Sequence, residues 1–304
     1  MRPIPIASGL AIISLLLALF LLLDTAAIRQ ALGQVSLLAV VSGLVIVQIQ
    51  IILSALRWRF TAGRLGQKMP ASHALGEYYL ASALNQVLPG GMAGDALRAY
   101  RGRGEGGAGM ALSTKAVILE RLSGQLAFFS ICACGLLFWP SLLARILPGA
   151  APVWLALVVM LLLGASGLIL RRLRSLRQDL TRAFVERGAW RVQLLLSLGT
   201  TGAYLLLFWL AAYATGGALP VTALVTVIPL CLLSMLIPTG FGGWGTREAA
   251  AAALWPLVGL ASAQGVAASI LYGALALIGS LPGLAVLVFH RRKGHVTAQG
   301  DRRA

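Results

Sequence analysis

Six charged residues sit where charge is costly. Asp95 and Arg98 follow the interruption Leu88-Pro-Gly-Gly-Met-Ala-Gly-Asp-Ala-Leu-Arg98. Glu120 and Arg121 lie inside the apolar run Val117-Ile-Leu-Glu-Arg-Leu-Ser-Gly124. Arg247 and Glu248 close Ile237-Pro-Thr-Gly-Phe-Gly-Gly-Trp-Gly-Thr-Arg-Glu248. A charge at bilayer depth costs about 2.5–3.5 kcal/mol on insertion scales, so such groups face a cavity or a partner. Guanidinium groups offer planar paired donors that match phosphate, and carboxylates orient those donors or meet a cation. On a helix, neighbours at i and i+1 project about 100° apart and pair poorly. Glu120 and Arg121, and likewise Arg247 and Glu248, are therefore expected to find partners elsewhere, whereas Asp95 and Arg98 at i, i+3 can pair locally. A reading in which all six only lock the bundle as buried ion pairs stays open.

Both interruptions break a helix and start another. The breaking residues are Pro89, Gly90, Gly91 and Gly94 in the first, and Pro238, Gly242, Gly243 and Gly245 in the second. Asp95 and Thr246 suit the cap of each new helix, whose unpaired N–H groups and positive dipole attract phosphate or carboxylate. The double glycines Gly90-Gly91 and Gly242-Gly243 are 152 residues apart, half of the 304-residue chain. Broken hydrophobic segments at matching places in two halves point to a midplane binding site between duplicated repeats.

The elements that position these residues must be membrane helices. The chain is 59% hydrophobic and 11% charged with a mean hydropathy of +0.86, far from the roughly 25% charge of a soluble domain. Eight runs approach the about 20 apolar residues a crossing helix needs: 6–23, 35–56, 111–139, 152–170, 192–215, 221–237, 249–263 and 266–289. The fold class is therefore an all-α integral membrane protein of about eight transmembrane helices with one or two Pro/Gly-broken re-entrant elements. It forms a single membrane domain, with a bundle over 6–289 and a basic tail over 290–304. The run is read as retained rather than cleaved at its first segment, which lacks an A-x-A site.

A net charge of +16 would suggest nucleic acid in a soluble chain. Here the basic residues segregate by loop. One side collects nineteen Lys and Arg, from Arg57, Arg59, Arg64 and Lys68 through the arginines of 171–191 to Arg303, against Arg29 and Arg145 on the other. The positive-inside rule makes the first side cytoplasmic, with both termini inside the plasma membrane. The segment 73–92 is flanked by basic clusters on both ends, so it enters and returns instead of crossing. In the connector 171–191, Leu173, Leu176, Leu180 and Phe184 recur at near-helical spacing beside arginines, as in an interfacial helix.

Other chemistries find no constellation. Gly104, Gly106 and Gly109, and Gly240, Gly242 and Gly245, match G-x-G-x-x-G without the strand a dinucleotide site requires. Cys132, Cys134 and Cys231 lie in apolar runs without C-x-x-C spacing and are read as packing residues. His73, His290 and His295 are too scattered for a zinc site or a triad. No metal, cofactor or catalytic residue is expected.

The segments Asn85-Gln-Val-Leu-Pro-Gly-Gly-Met-Ala-Gly-Asp-Ala-Leu-Arg98, Leu119-Glu-Arg-Leu and Gly242-Gly-Trp-Gly-Thr-Arg-Glu-Ala resemble the flippase-type membrane domain of lysylphosphatidylglycerol synthases and its stand-alone relatives. The resemblance covers about residues 10 to 290. It implies a lipid-translocating helical bundle with re-entrant elements and carries Asp95, Arg98, Glu120, Arg121, Arg247 and Glu248 over as headgroup-handling residues. Thr246 stands where the family pattern more often has an aliphatic residue, and the soluble aminoacyl-transferase domain is not among these residues. The expected function is translocation of an anionic or zwitterionic phospholipid or lipid-linked precursor. A membrane-embedded transferase on a lipid or polyprenyl phosphate competes with it, as does a scaffold subunit. The expected partners are membrane lipids, not nucleic acid, with room for a homo-oligomer or a lipid-modifying enzyme.

Overall fold

The computed structural model describes residues 25–88, 91–107, 109–135, 138–139, 177–236, 242–284 and 286. The expected runs 6–23 and 152–170, the tail 290–304, and Pro89, Gly90 and Pro238 lie outside the described residues. The main helices are α1 (Thr25–Gly33), α2 (Leu37–Arg64), α3 (Ala71–Val87), α4 (Ala93–Gly102), α5 (Gly109–Gly135), α6 (Ala189–Ala214), α7 (Val227–Leu233), α8 (Thr246–Leu254) and α9 (Ser262–Ser280), and no strand occurs among the described residues.

Four segments are long and apolar enough to cross a membrane: Leu37–Arg64, Gly109–Gly135, Gln178–Ala214 and Ser262–Leu284. The sequence of α2 explains its placement. Ser36 caps it by accepting from the Ala39 N–H at 3.2 Å. Val41, Val45, Ile49, Ile52 and Leu56 then form an exposed stripe at three- to four-residue spacing, while Val47, Ile51, Ala55 and Trp58 are buried. In lipid that exposed stripe is solvated rather than stranded.

Two expected spans are corrected. The run 221–237 divides into a 3-10 turn at Val221–Leu224, the short α7 and a second 3-10 turn at Ser234–Leu236. The run 249–263 divides into the end of α8, a 3-10 turn at Trp255–Val258 and the start of α9; α8 has nine residues and rises about 14 Å, half the hydrocarbon thickness or less. The run 221–237 breaks at Val225–Thr226, just before α7, whose first turn holds Pro229; a proline there lacks the N–H that would bond the Val225 carbonyl and join the two segments. Of the connector, residues 171–176, with Leu173 and Leu176, lie outside the described residues; Leu180 and Phe184 pack against the core, in short helical turns over Arg177–Gly188 that run into α6. Arg64 secures this corner by donating to the carbonyls of Arg182 and Glu186 at 2.9 and 2.8 Å.

The two halves repeat. After α2, the N–H groups of Leu65, Gly66 and Gln67 donate to the carbonyls of Thr61, Gly63 and Ala62. After α6, those of Thr215, Gly216 and Gly217 donate to Ala211, Tyr213 and Ala212, every donor and acceptor 150 residues on. Gly66 and Gly216 adopt φ of +96° and +82°, which favours glycine in both turns. Pro70 and Pro220 then precede the next helical segment with nearly identical φ of −62° and −64°. In each half a long helix, this turn, a helical hairpin and a second long helix follow in order. The halves are inverted: Leu53 meets Gly199 and Gly43 meets Leu207, and Thr61 bonds Gln193, so residue numbers rise along α2 as they fall along α6. These are antiparallel helices at equivalent positions. The Gly279-x-x-x-Gly283 pair is used within the chain, Gly279 against Val47 and Gly283 against the backbone of Tyr79 and Leu80.

In a background with Cys132, Cys134 and Cys231 replaced by serine, Leu53→Cys with Gly199→Cys is expected to form a disulfide on mild oxidation, seen as a non-reducing gel shift. Leu53→Cys with Ala189→Cys is not. The reverse pattern would mean that α2 and α6 run parallel and that the repeats are not inverted.

Candidate functional site

In each half a hairpin carries a charged pair in the first two turns of its second helix, Asp95 and Arg98 in α4 and Arg247 and Glu248 in α8, while Glu120 and Arg121 stand on α5. In the first, α3 and α4 pack so closely that a Cβ on Gly94 would fall on the Ala81 carbonyl, and Arg101 clamps the far end by donating to both Glu77 oxygens at 2.8 and 2.7 Å. The helix starts are built differently from the sequence expectation. The caps are Met92 and Gly245, which puts Asp95 and Glu248 both in the third helical position and Thr246 in the first. Asn85 Oδ1 accepts the Gly94 N–H at 2.7 Å and Glu248 Oε2 accepts the Gly245 N–H at 2.5 Å. One N–H at the start of each helix is thus met by a side chain three or more residues away.

The first-half charges form one connected chain. Arg57 donates to Glu120 Oε1 through Nη2 at 2.6 Å and Nε at 3.1 Å. Arg98 donates to Glu120 Oε2 at 2.5 Å and to Asp95 Oδ1 at 3.0 Å, and Arg121 Nη2 meets Asp95 Oδ2 at 2.5 Å. Asp95 and Arg98 pair locally as expected, and Glu120 and Arg121 find separate partners as expected. Tyr78 adds its hydroxyl to Glu120 at 3.2 Å. Arg98 lies between the rings of Trp58 and Tyr78, 5.0 and 4.6 Å from their centroids, a favourable setting for a buried guanidinium.

The second half holds a smaller version. Arg247 and Glu248 pair directly at 2.9 Å, against the expectation from their adjacency. Ser269 explains this: its hydroxyl accepts from Arg247 Nε at 2.8 Å and donates to Glu248 Oε1 at 2.6 Å, drawing both side chains to one face of α9. Arg247 again sits between two rings, Trp244 and Tyr272, at 5.2 and 4.8 Å.

The two glycine turns meet inside the bundle. A Cβ on Gly242 would lie 2.7 Å from the Gln86 carbonyl and 3.0 Å from that of Asn85, so only a bare backbone fits over the end of α3. Both turns, through Gly91 and Gly242-Gly243, line one cavity of about 510 Å³. A smaller space of about 170 Å³ adjoins it, and the two share the polar residues Tyr78, Arg121, Gln125, Tyr204 and Tyr272 together with Met235 and Leu236. The smaller space continues along Phe128 and Phe129 of α5 and Leu232 and Leu233 of α7, giving a cavity with a polar end and an apolar wall.

Of the six charged residues singled out from sequence, Asp95 and Arg121 line the cavity. Arg98, Glu120, Arg247 and Glu248 are buried behind its wall, at 2% exposure or less. Arg57, which sequence reading assigns to a cytoplasmic loop, is buried in α2 and lines the smaller space. The signal for it was its place in Leu53-Ser-Ala-Leu-Arg57-Trp, an otherwise apolar stretch. The tyrosines 78, 204 and 272 were also missed, because an aromatic residue in an apolar run has the pattern of packing. Among the described residues no group of His, Cys, Asp and Glu could hold a metal.

The family described as "Lysylphosphatidylglycerol synthase TM region" matches residues 6–283. The chain belongs to that family of membrane domains associated with lipid modification or translocation. Among curated proteins nothing matches the chain.

Glu120→Gln leaves Arg57 and Arg98 buried without their carboxylate and is expected to lower stability by roughly 3–5 kcal/mol, read as a large drop in melting temperature in detergent. Arg121→Gln, at a side chain 41% exposed, is expected to melt close to wild type. Equal melting of wild type and Glu120→Gln would show that the charge chain contributes no net stability.

Proposed function

We propose that this chain, a member of the lysylphosphatidylglycerol synthase membrane-domain family, is a lipid translocase. It carries an anionic or zwitterionic phospholipid or a lipid-linked precursor between the leaflets of the plasma membrane. The observation that carries this reading is the cavity between the two glycine turns, with Arg121 and Asp95 at its polar end and Phe128, Phe129, Leu232 and Leu233 along its apolar wall. A phospholipid has the same division.

The inverted repeat supports the reading. Basic residues crowd the C-terminal part of α2 and the turns that lead into α6, which sets both on the cytoplasmic face with the termini. In that orientation the α3–α4 hairpin enters from the cytoplasm, the α7–α8 hairpin enters from outside, and their tips meet near the midplane as re-entrant elements. Inverted repeats with discontinuous helices at a midplane site are the architecture of many carriers.

The roles then divide. Arg121 grips the headgroup phosphate, and Asp95 orients it. Arg98, Glu120, Arg247 and Glu248 handle the headgroup indirectly, as positioning residues that hold the cavity wall. Oligomers or an enzyme that modifies the lipid fit around the exposed faces of the bundle as further partners. The competing transferase reading is separated by chemistry: an enzyme converts a lipid in detergent when given a donor, whereas a translocase needs two leaflets and leaves covalent structure unchanged.

Purified protein in liposomes is expected to move a fluorescent phospholipid between leaflets, measured by protection from an impermeant quencher. Arg121→Lys keeps the charge but loses planar paired donors, worth about 1.5–3 kcal/mol for a charge-assisted bond, so transport is expected to fall about tenfold or more. Arg247→Lys is expected to transport normally if expressed, while Arg247→Ala loses stability. Full transport by Arg121→Lys would mean the headgroup is held elsewhere. A covalently changed lipid would favour the transferase.

A further inference from the structure

A buried polar seam joins α6 to α2 and α5. Gln193 Nε2 donates to Thr61 Oγ1 at 2.9 Å, and Gln193 Oε1 accepts from Ser123 at 3.0 Å. Ser123 and Ser197 share a hydrogen bond of 2.7 Å, and Arg57 Nη1 donates to Ser197 at 3.4 Å. Thr61, Ser123, Gln193 and Ser197 are all at 5% exposure or less. One turn beyond Ser197, Thr200 and Thr201 line the smaller space with Arg57. The opposite end of the seam, at Thr61 and Gln193, lies about one turn from the ends of α2 and α6. The polar lining therefore runs unbroken from the cavity to the cytoplasmic ends of these helices. Polar groups at this depth are costly, and the scaffold does not require them. With the offset of 150 residues that relates the two halves, Thr61, Gln193 and Ser197 correspond to Ala211, Gly43 and Val47, and Arg57 to Leu207. The equivalent contact is buried and apolar, with Gly43 against Leu207.

We propose that this seam is the cytoplasmic half of the headgroup path, closed in this structure, and that Arg177–Gly188 is the latch that holds it shut. The inference rests on the translocase reading and its orientation. Glu120 ties α2, α3, α4 and α5 into one unit, so the part that moves is the cytoplasmic half of α6. No bond across the seam is an ion pair. Hydroxyl and amide groups both donate and accept, so Gln193, Ser123 and Ser197 exchange one another for a polar headgroup without being left unpaired. The latch is tied to each helix that lines the seam. Arg64 of α2 donates to the carbonyls of Arg182 and Glu186, Lys115 of α5 pairs with Asp179 at 2.8 Å, and Gln193 of α6 donates to the Ala183 carbonyl at 3.3 Å. The Lys115 side chain is 43% exposed, so its tie is weak enough to release, unlike the sealed pairs around Glu120.

The test uses the full chain, with Cys132, Cys134 and Cys231 replaced by serine, in phosphatidylcholine liposomes carrying acyl-labelled NBD-phosphatidylglycerol. Ser123→Cys with Ser197→Cys is expected to move the probe when reduced and to fall to the protein-free rate when oxidised, with recovery on reduction. Oxidation of Leu53→Cys with Gly199→Cys, at an apolar contact of α2 and α6 that stays closed, is expected to leave the rate unchanged. Thr61→Ala, Ser123→Ala, Gln193→Met and Ser197→Val together remove both partners of each bond, so this variant is expected to melt close to wild type yet move the probe about tenfold more slowly or less. Asp179→Asn is expected to speed labelling of Ser123→Cys by a charged thiol reagent two- to fivefold, the range that a partly exposed ion pair allows, and Lys115→Asp with Asp179→Lys to restore the slow rate. Equal movement by the oxidised and reduced Ser123–Ser197 pair, or wild-type movement by the apolar seam, overturns the gate and leaves the translocase reading standing. Where the reduced pair is itself inactive, the labelling decides: a rate indifferent to Asp179→Asn overturns the latch. No movement of the probe by the wild-type chain overturns the translocase reading, and the gate falls with it.

Discussion

The Glu120 carboxylate is the point where the first half of the bundle is tied together. Arg57 of α2, Tyr78 of α3 and Arg98 of α4 all donate to it, and it projects from α5. Removing an ion from water costs several kcal/mol even after relaxation. One close partner at 4 Å returns about 4 kcal/mol at an effective dielectric of 20, so an isolated pair roughly breaks even. In an alternating chain each interior ion has two opposite neighbours, and Glu120, Arg98 and Asp95 each gain the second attraction while being desolvated once. That arithmetic favours the chain over separate pairs. Because its members come from different helices, satisfying the charges also fixes the register of those helices.

The backbone is duplicated but the chemistry is not. The turn after α2 and the turn after α6 share their hydrogen bonds residue for residue, and each hairpin presents a ring-flanked arginine. Yet the residue 150 positions beyond Arg57 is Leu207, buried at 0% exposure. Without a cation there, the second-half cluster among the described residues is the compact Arg247–Glu248–Ser269 group, which is neutral. The inverted repeat therefore supplies a two-sided scaffold, and the first half alone supplies the excess charge.

What the sequence revealed follows from which forces act locally. Hydropathy found the four long helices, since the bilayer imposes their length on the chain directly. It joined 221–237 into a span because apolar content does not register the breaks at Val225–Thr226, ahead of Pro229, and after Leu233. Charges inside apolar runs marked Glu120 and Arg121 at once, whereas Arg57 was hidden by its proximity to Arg59 and Arg64, which do belong to a basic cluster. The pairing of Arg247 with Glu248 was not legible at all. It depends on Ser269, on α9, reaching both side chains, a tertiary contact that helix periodicity does not encode. The matching glycine turns gave the duplication, but the antiparallel course of α2 and α6 appears only from contacts such as Leu53 with Gly199.

Exposure along the charge chain separates holding from gripping. Arg98 and Glu120 side chains are at 0%, Arg57 at 5%, Asp95 at 9% and Arg121 at 41%. A guanidinium with no access to the cavity cannot change its partners when a ligand arrives, whatever its charge. Arg98 is such a group: two carboxylates and two aromatic rings enclose it, and its contribution is to hold Glu120 and Asp95 in place. Arg121 has one carboxylate partner, an unpartnered Nε and a route to the cavity. It can bind an anion without giving up Asp95. The same residue type thus serves opposite ends of one network, and burial rather than identity assigns the role.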